Sequence, residues 1–157
     1  MSKTNWVIIL NPITKNEFKN SEVINLIKAL EGKVYIISDY EYFCTSAFLQ
    51  KYGMLKYVSA IFERGKDLSL DPKYLPTISE KMKIRNRDRC IYLDICTQGI
   101  VSAKLLGWNG CLIMDDKNLK KKERKKHRCK DNLGGTWYNT RFNTLKEGLF
   151  HYLFGTV

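Results

Sequence analysis

The chain has 157 residues, 44% of them hydrophobic and 27% charged, and carries 27 Lys+Arg against 16 Asp+Glu for a formal charge of +11. That length and balance predict a single globular domain with a full core and argue against a disordered chain. They also exclude a membrane-spanning helix, because apolar runs such as Trp6 to Leu10 fall far short of the roughly 20 residues such a helix needs.

Strands and helices alternate along the chain. Trp6-Val-Ile-Ile-Leu10 is a continuous apolar run, as expected of a strand covered on both faces. Asn20-Ser21 offers an N-cap and Glu22 suits a first turn, while Val23, Ile24, Ile27 and Leu30 form one helical stripe with Gly32 as the expected C-cap. Lys33 to Ile37 reads as a second buried strand followed by Ser38-Asp39, and residues 40 to 52 as a helix ending at Gly53. Val58 to Phe62 is a short extended segment, and residues 66 to 76 are expected to be loop. Pro76-Thr77 opens a helix through Met82. A strand over 90–94, a helix over 98–106 and a strand over 110–114 complete a βαβαβ rhythm, which implies a parallel sheet with helices on both faces. Leu145, Leu149, Tyr152 and Leu153 share a stripe, so a C-terminal helix is expected to close onto the sheet.

Cys44, Cys90, Cys96 and Cys111 sit among apolar residues and read as buried thiols, with only Cys129 in a polar segment. Five cysteines without close Cys-x-x-Cys pairs argue against a disulfide framework, and His127 with Cys129 is too few ligands for a zinc cage. The opening Met-Ser-Lys-Thr-Asn lacks the basic start and long apolar stretch of a signal peptide, so an intracellular protein is expected.

Charge is concentrated. Residues 117 to 130 hold nine basic side chains against one Glu, +8 of the +11, with Lys120, Lys121, Lys122, Arg124, Lys125, Lys126 and Arg128 at its centre. Lys81, Lys83, Arg85, Arg87 and Arg89 alternate before the strand at 90–94, and on an extended backbone they would share one face. Charge runs are commonly solvated faces. Nine cations in fourteen residues also repel one another unless a polyanion neutralises them, and phosphate contacts from both patches would give salt-sensitive binding.

Four stretches over residues 6 to 116, in order, resemble the haloacid dehalogenase-like (HAD) superfamily of phosphotransferases. Val-Tyr-Ile-Ile-Ser38-Asp39 is similar to the family strand that ends in a phosphate-binding Ser or Thr. Tyr52 to Phe62 is similar to the family's helix end and short strand, and Asp71-Pro-Lys73-Tyr to its loop-lysine region. Ile91-Tyr-Leu-Asp94, with Ala103-Lys-Leu-Leu-Gly107-Trp, resembles its acidic magnesium strand and the glycine-ended helix after it. The resemblance implies a three-layer α/β sandwich around a central parallel sheet, Rossmannoid and without a cap. Residues 1–157 would form one domain with a basic insertion at about 117–130 and a C-terminal helical tail.

The family's first motif departs here. Where the family carries its nucleophilic and general-acid aspartates, this chain has Asn11 and Ile13 in Leu-Asn-Pro-Ile-Thr. A carboxamide oxygen is a feeble nucleophile and an isoleucine has no proton to give. Ile95 replaces the second acidic position after Asp94. Only about nine residues, Pro12 to Asn20, occupy the place of the family's lid.

Each candidate also has a plainer role. Asp94 is either a magnesium ligand or a helix-capping turn residue. Ser38 is a phosphate cradle or, with Asp39, the N-cap of the next helix; Lys73 is a phosphate-neutralising or a solvated loop lysine; and Asn11-Pro12 is a turn. The expectation is therefore a catalytically degenerate basic binding or assembly module, on RNA or in a nucleoprotein complex, with no cofactor. Its partner would be RNA, another polyanion or an acidic protein surface within a larger assembly, with no membrane. The alternative is a divergent magnesium-dependent phosphatase acting on phosphomonoesters.

Overall fold

The computed structural model describes residues 4–11, 14–63, 74–84, 89–113 and 140–155. Among the described residues, six strands run β1 (Thr4–Leu10), β2 (Lys33–Ser38), β3 (Ala60–Glu63), β4 (Arg89–Asp94), β5 (Asn109–Ile113) and β6 (Thr140–Phe142). They form one sheet in the order β3-β2-β1-β4-β5-β6, every pairing parallel. The helices are α1 (Thr14–Glu17), α2 (Ser21–Lys28), α3 (Tyr42–Lys51), α4 (Tyr74–Met82), α5 (Thr97–Leu105) and α6 (Leu145–Phe154), with a 3-10 turn at Leu55–Tyr57.

Side chains alternate across a strand, so each central strand feeds two cores. Ile8, Leu10, Ile36, Ile91 and Leu93 face α2, α3 and α6, through Val23, Ile27, Leu49, Leu145 and Leu149. Val7, Ile9, Ile37, Tyr92 and Leu112 face α4 and α5, through Ile78, Met82, Ile100 and Ala103. The result is the expected three-layer α/β sandwich, and its continuous apolar strands follow from burial on both faces.

Several local expectations change. α2 stops at Lys28, and Gly32 instead makes the turn into β2 at φ 109, where a Cβ would lie about 2 Å from the Thr4 carbonyl oxygen. Glu41, not Ser38 or Asp39, occupies the N-cap of α3, and it makes no side-chain cap bond. α4 begins at Tyr74, two residues before Pro76. Two elements were not anticipated, α1 and β6, both too short to carry a periodicity. Cys44 is exposed, because α3 is buried along Thr45 and Leu49, which leaves position 44 on the outer side.

The basic row before β4 is not one extended face. Lys81 lies in the last turn of α4, and Lys83 takes φ 57 in a Schellman-type stop, with Lys83 N donating to Glu80 O and Ile84 N to Ser79 O. Arg89 opens β4 and is exposed. Arg85 and Arg87 fall outside the described residues.

Because crossover helices return the chain to the start of the next strand, their last turns gather at the amino end of the sheet. Lys28, Lys51, Lys81 and Lys104 occupy the last turns of α2 to α5, and Lys33 and Arg89 open their strands. At that end Glu31 follows α2 and Glu80 lies in the last turn of α4, whereas Asp39, Glu41, Glu63 and Glu22 lie toward the carboxyl end. Among the described residues no helix is long and apolar enough to cross a membrane.

Candidate functional site

In an open parallel sheet, ligands bind beyond the carboxyl ends of the strands. Here β1, β2 and β4 are neighbours, and their ends bring Asn11, Ser38 and Asp94 to one crest. All three are buried, as are Thr14 and Thr45 beside them. A polar side chain withdrawn from water at such a place must be hydrogen-bonded or held ready for a ligand.

Asn11 is used locally. Its Oδ1 accepts from Thr14 N at 3.0 Å, and Thr14 Oγ1 accepts from Asn11 N at 3.0 Å, the reciprocal pattern of a capping box. The Thr14 hydroxyl has one proton and gives it to Ile9 O at 2.8 Å. Its 3.3 Å approach to Asn11 Oδ1 therefore adds little. Lys15 N then donates to Asn11 O at 2.9 Å, which makes Asn11 the start of the α1 turn rather than a simple strand-ending turn. Glu17, in the same short helix, accepts Leu145 N at 2.7 Å and so ties the lid position to the first turn of α6. Lys146 and Glu22 add an ion pair between α6 and α2.

Ser38 faces the α3 layer. Its hydroxyl shares a 2.6 Å hydrogen bond with Thr45 Oγ1 and accepts Tyr40 N at 3.0 Å. The serine thus holds the β2–α3 turn through a serine turn, the helix-start role expected in plainer form but at a different position. Above it, Lys15 Nζ sits 4.6 Å from the centre of the Tyr40 ring. Burial first, and then the neighbouring Asp39, raise the Tyr40 hydroxyl above its ordinary ionisation range.

Asp94 faces the opposite layer. Oδ1 accepts Ile95 N at 2.7 Å and Cys96 N at 3.2 Å, and Oδ2 accepts the Tyr92 hydroxyl at 2.7 Å. α5 lies directly over the carboxylate, because Gly99 has no side chain: a Cβ there would fall about 2 Å from Asp94 Oδ2 and 2.9 Å from the Tyr92 hydroxyl. Oδ1 has both lone pairs engaged. The carboxylate organises the β4–α5 turn and the seat of α5.

The crest therefore brings the three sequence candidates onto one edge, where Ser38 is bonded under α3, Asp94 under α5 on the opposite face, and Asn11 into α1. Ile13, Lys73 and the basic positions Lys120, Lys121, Lys122, Arg124, Lys125, Lys126 and Arg128 lie outside the described residues. Magnesium needs near-octahedral oxygen ligands, commonly one or two carboxylates with phosphate and water. The described residues do not fit it. The Asn11 oxygen is committed to Thr14 N, Asp94 is committed to backbone and Tyr92, and no three His, Cys, Asp or Glu side chains converge among the described residues. Sequence reading missed Thr14, Thr45, Tyr92 and Gly99. Tyr92 alternates with Asp94 on the same strand and Thr14 stands three residues after Asn11 in a capping-box spacing, both local signals; Thr45 and Gly99 depended on tertiary contact.

No protein-family model matches the sequence, and neither does any curated protein. Solved structures do match. A haloacid dehalogenase-like family hydrolase from Streptococcus pneumoniae superposes with a TM-score of 0.58 at 8% identity, over 85% of this chain and 59% of its own. The core domain of a protein designated a phosphoglycolate phosphatase, also from Streptococcus pneumoniae, gives 0.55 at 13% identity, over 80% of this chain and 95% of its own. A protein designated a beta-phosphoglucomutase from Thermotoga maritima gives 0.56 at 13% identity, over 95% of this chain and 62% of its own. The chain thus spans about three fifths of the hydrolase and of the mutase. At these identities the likeness is one of fold, and the fold is haloacid dehalogenase-like.

Proposed function

We propose that this chain is a catalytically silent haloacid dehalogenase-like domain that works as a basic binding module on RNA within a nucleoprotein assembly. The observation that carries the reading is the use of Asn11. At the crest of β1, where phosphoryl transfer by this fold needs a carboxylate nucleophile, stands a neutral amide whose oxygen caps the next helix. Asp94, the acid that ends β4, is turned under α5 and bonded on both oxygens. The formal charge of +11, with nine cations between residues 117 and 130, supports a polyanionic partner. The alternative, a magnesium-dependent phosphatase of divergent machinery, is favoured by one observation, the fold shared with the hydrolase and phosphatase core above.

The test has two arms. Anisotropy of labelled RNA is expected to report binding whose affinity falls on the order of a thousandfold between about 50 and 200 mM salt, if six or more phosphates are contacted. Replacing Lys120, Lys121, Lys122, Arg124, Lys125, Lys126 and Arg128 by Gln is expected to flatten that dependence. With magnesium and a generic aryl phosphate, no turnover is expected. Turnover that is lost in a folded Asp94→Asn protein overturns the reading in favour of the phosphatase.

A further inference from the structure

At the amino end of the sheet, one place combines cations with an exposed aromatic face. α2 ends on Lys28, and the 3-10 turn Leu55–Tyr57 leads into β3 beside it. Tyr57 is 39% exposed. Lys28 Nζ stands 5.5 Å from its centroid and Lys56 Nζ 5.3 Å, within the range of cation–π attraction. A Cβ added to Gly53, four residues before Tyr57, would meet, among the described residues, only Lys28 Nζ at 3.9 Å, so the ground around Gly53 is open. Leu55 and Val58, on either side of Tyr57 in sequence, pack against the core, so the ring rides on an anchored turn.

Lysines at helix C-termini have a plain explanation, since they answer the negative end of the helix dipole. That accounts for Lys28. It does not account for Lys56 on the 3-10 turn, or for a tyrosine left part-exposed beside two ammonium groups. A part-exposed ring with two lysine ammonium groups close by meets the two demands of an unpaired nucleotide strand, a surface for a base and charge for the adjoining phosphates. A duplex keeps its base faces stacked away and would gain only the charge.

We infer that Tyr57, with Lys28 and Lys56, is a stacking platform for single-stranded nucleic acid, set at the end of the sheet opposite the crest. The inference rests on the nucleic-acid reading above and adds where the strand lies and how it is held. Stacking on Tyr57 is sequence-tolerant because every base offers a π face, while the two lysines contribute counterion release.

The experiment compares wild-type protein, Tyr57→Ala, Tyr57→Phe and the Lys28→Gln/Lys56→Gln double variant, each checked for folding by circular dichroism. The probes are labelled oligo-uridine RNA of about 12 nucleotides, an abasic oligomer of equal charge, and a duplex of equal charge; platforms of this type take roughly 4 to 16 nucleotides. Tyr57→Ala is expected to weaken oligo-uridine binding about 5- to 100-fold, with Tyr57→Phe within about twofold of wild type. The abasic oligomer is expected to bind wild type and Tyr57→Ala alike. The lysine variant is expected to lower the slope of log affinity against log salt by about 1.4, two contacts at about 0.7 each. Wild-type binding of oligo-uridine that Tyr57→Ala leaves unchanged overturns the platform and leaves the RNA-module reading standing. A duplex bound more tightly than the single strand also overturns the platform. Failure of the wild-type protein to bind any of the three probes sinks the RNA-module reading itself.

Discussion

Tyr92→Phe, alone and combined with Asp94→Asn, distinguishes a carboxylate that holds the fold from one that waits for a metal. The substitution deletes one hydroxyl and leaves the ring in place against Trp108, whose centroid lies 6.1 Å away. The lost bond is a 2.7 Å donation to Asp94 Oδ2 between two groups that are each 1% exposed. Hydrogen bonds to charged partners are worth about 1.5–3 kcal/mol, and a buried acceptor left short of a donor keeps its desolvation cost. Tyr92→Phe is therefore expected to cost about 2 kcal/mol, lowering Tm by roughly 4–8 °C for a domain of this size. Asp94→Asn keeps an oxygen for Ile95 N and Cys96 N and loses charge, so about 1–2 kcal/mol is expected. In the double variant the two costs overlap, giving a coupling of about 1 kcal/mol in urea denaturation followed by circular dichroism. The sign carries the reasoning. A carboxylate poised for a cation is destabilising without it, so its replacement would raise stability. Stabilisation by Asp94→Asn, or additive costs with no coupling, would refute the structural role assigned here.

Five further outcomes are expected. Gly99→Ala pushes a methyl into Asp94 Oδ2 and the Tyr92 hydroxyl, so chemical denaturation should show a loss of about 3 kcal/mol, part of it recovered when Asp94→Ala removes the obstructing oxygen. Ser38→Ala breaks the bonds to Thr45 and Tyr40 N and should cost about 1–2 kcal/mol, while inorganic phosphate should shift the wild-type melting curve no more than the variant's; a phosphate shift lost in the variant would favour a phosphate cradle. Glu17→Gln removes a charge from the first turn of α6, with about 1 kcal/mol lost and faster hydrogen exchange at the Leu145 amide in NMR. Under native conditions a maleimide should modify exposed Cys44 and spare Cys90, Cys96 and Cys111, as read by mass spectrometry. Burial raises the Cys90 thiol above its ordinary range, so the folded chain keeps that proton while the unfolded chain loses it above a pH of about 8.5; stability should then fall as pH rises past that point.

Much of the architecture was legible because it is written in local pattern. β1, β2, β4 and β5 are continuous apolar runs bounded by polar residues, a pattern that only two-sided burial makes tolerable in water. Gly53 and Gly107 marked helix ends correctly, since each follows a last turn and takes a positive φ that other residues resist. The failures lay where neighbours in space, not in sequence, decide. Cys44 reads as a small buried thiol, but which side of α3 meets the sheet depends on Thr45 and Leu49. The alternating basic row before β4 reads as extended until a Schellman stop at Lys83 breaks it.

The sequence by itself determined that an aspartate ends β4, that an asparagine follows β1 and a serine ends β2, and that the chain is strongly cationic. Strand order and pleat then brought the three polar ends to one edge. The partners of Asn11 and Asp94, Thr14 and Tyr92, lie within three residues in sequence, while tertiary structure decided what covers them: α3 with Thr45 over Ser38, and the bare Cα of Gly99 over Asp94. The reason is physical. Alternation along a strand assigns a side chain to a face, but whether that face offers it a ligand or a hydrogen-bond donor depends on how closely the covering helix approaches. For Asp94 that distance is set by the missing side chain of a single glycine five residues away.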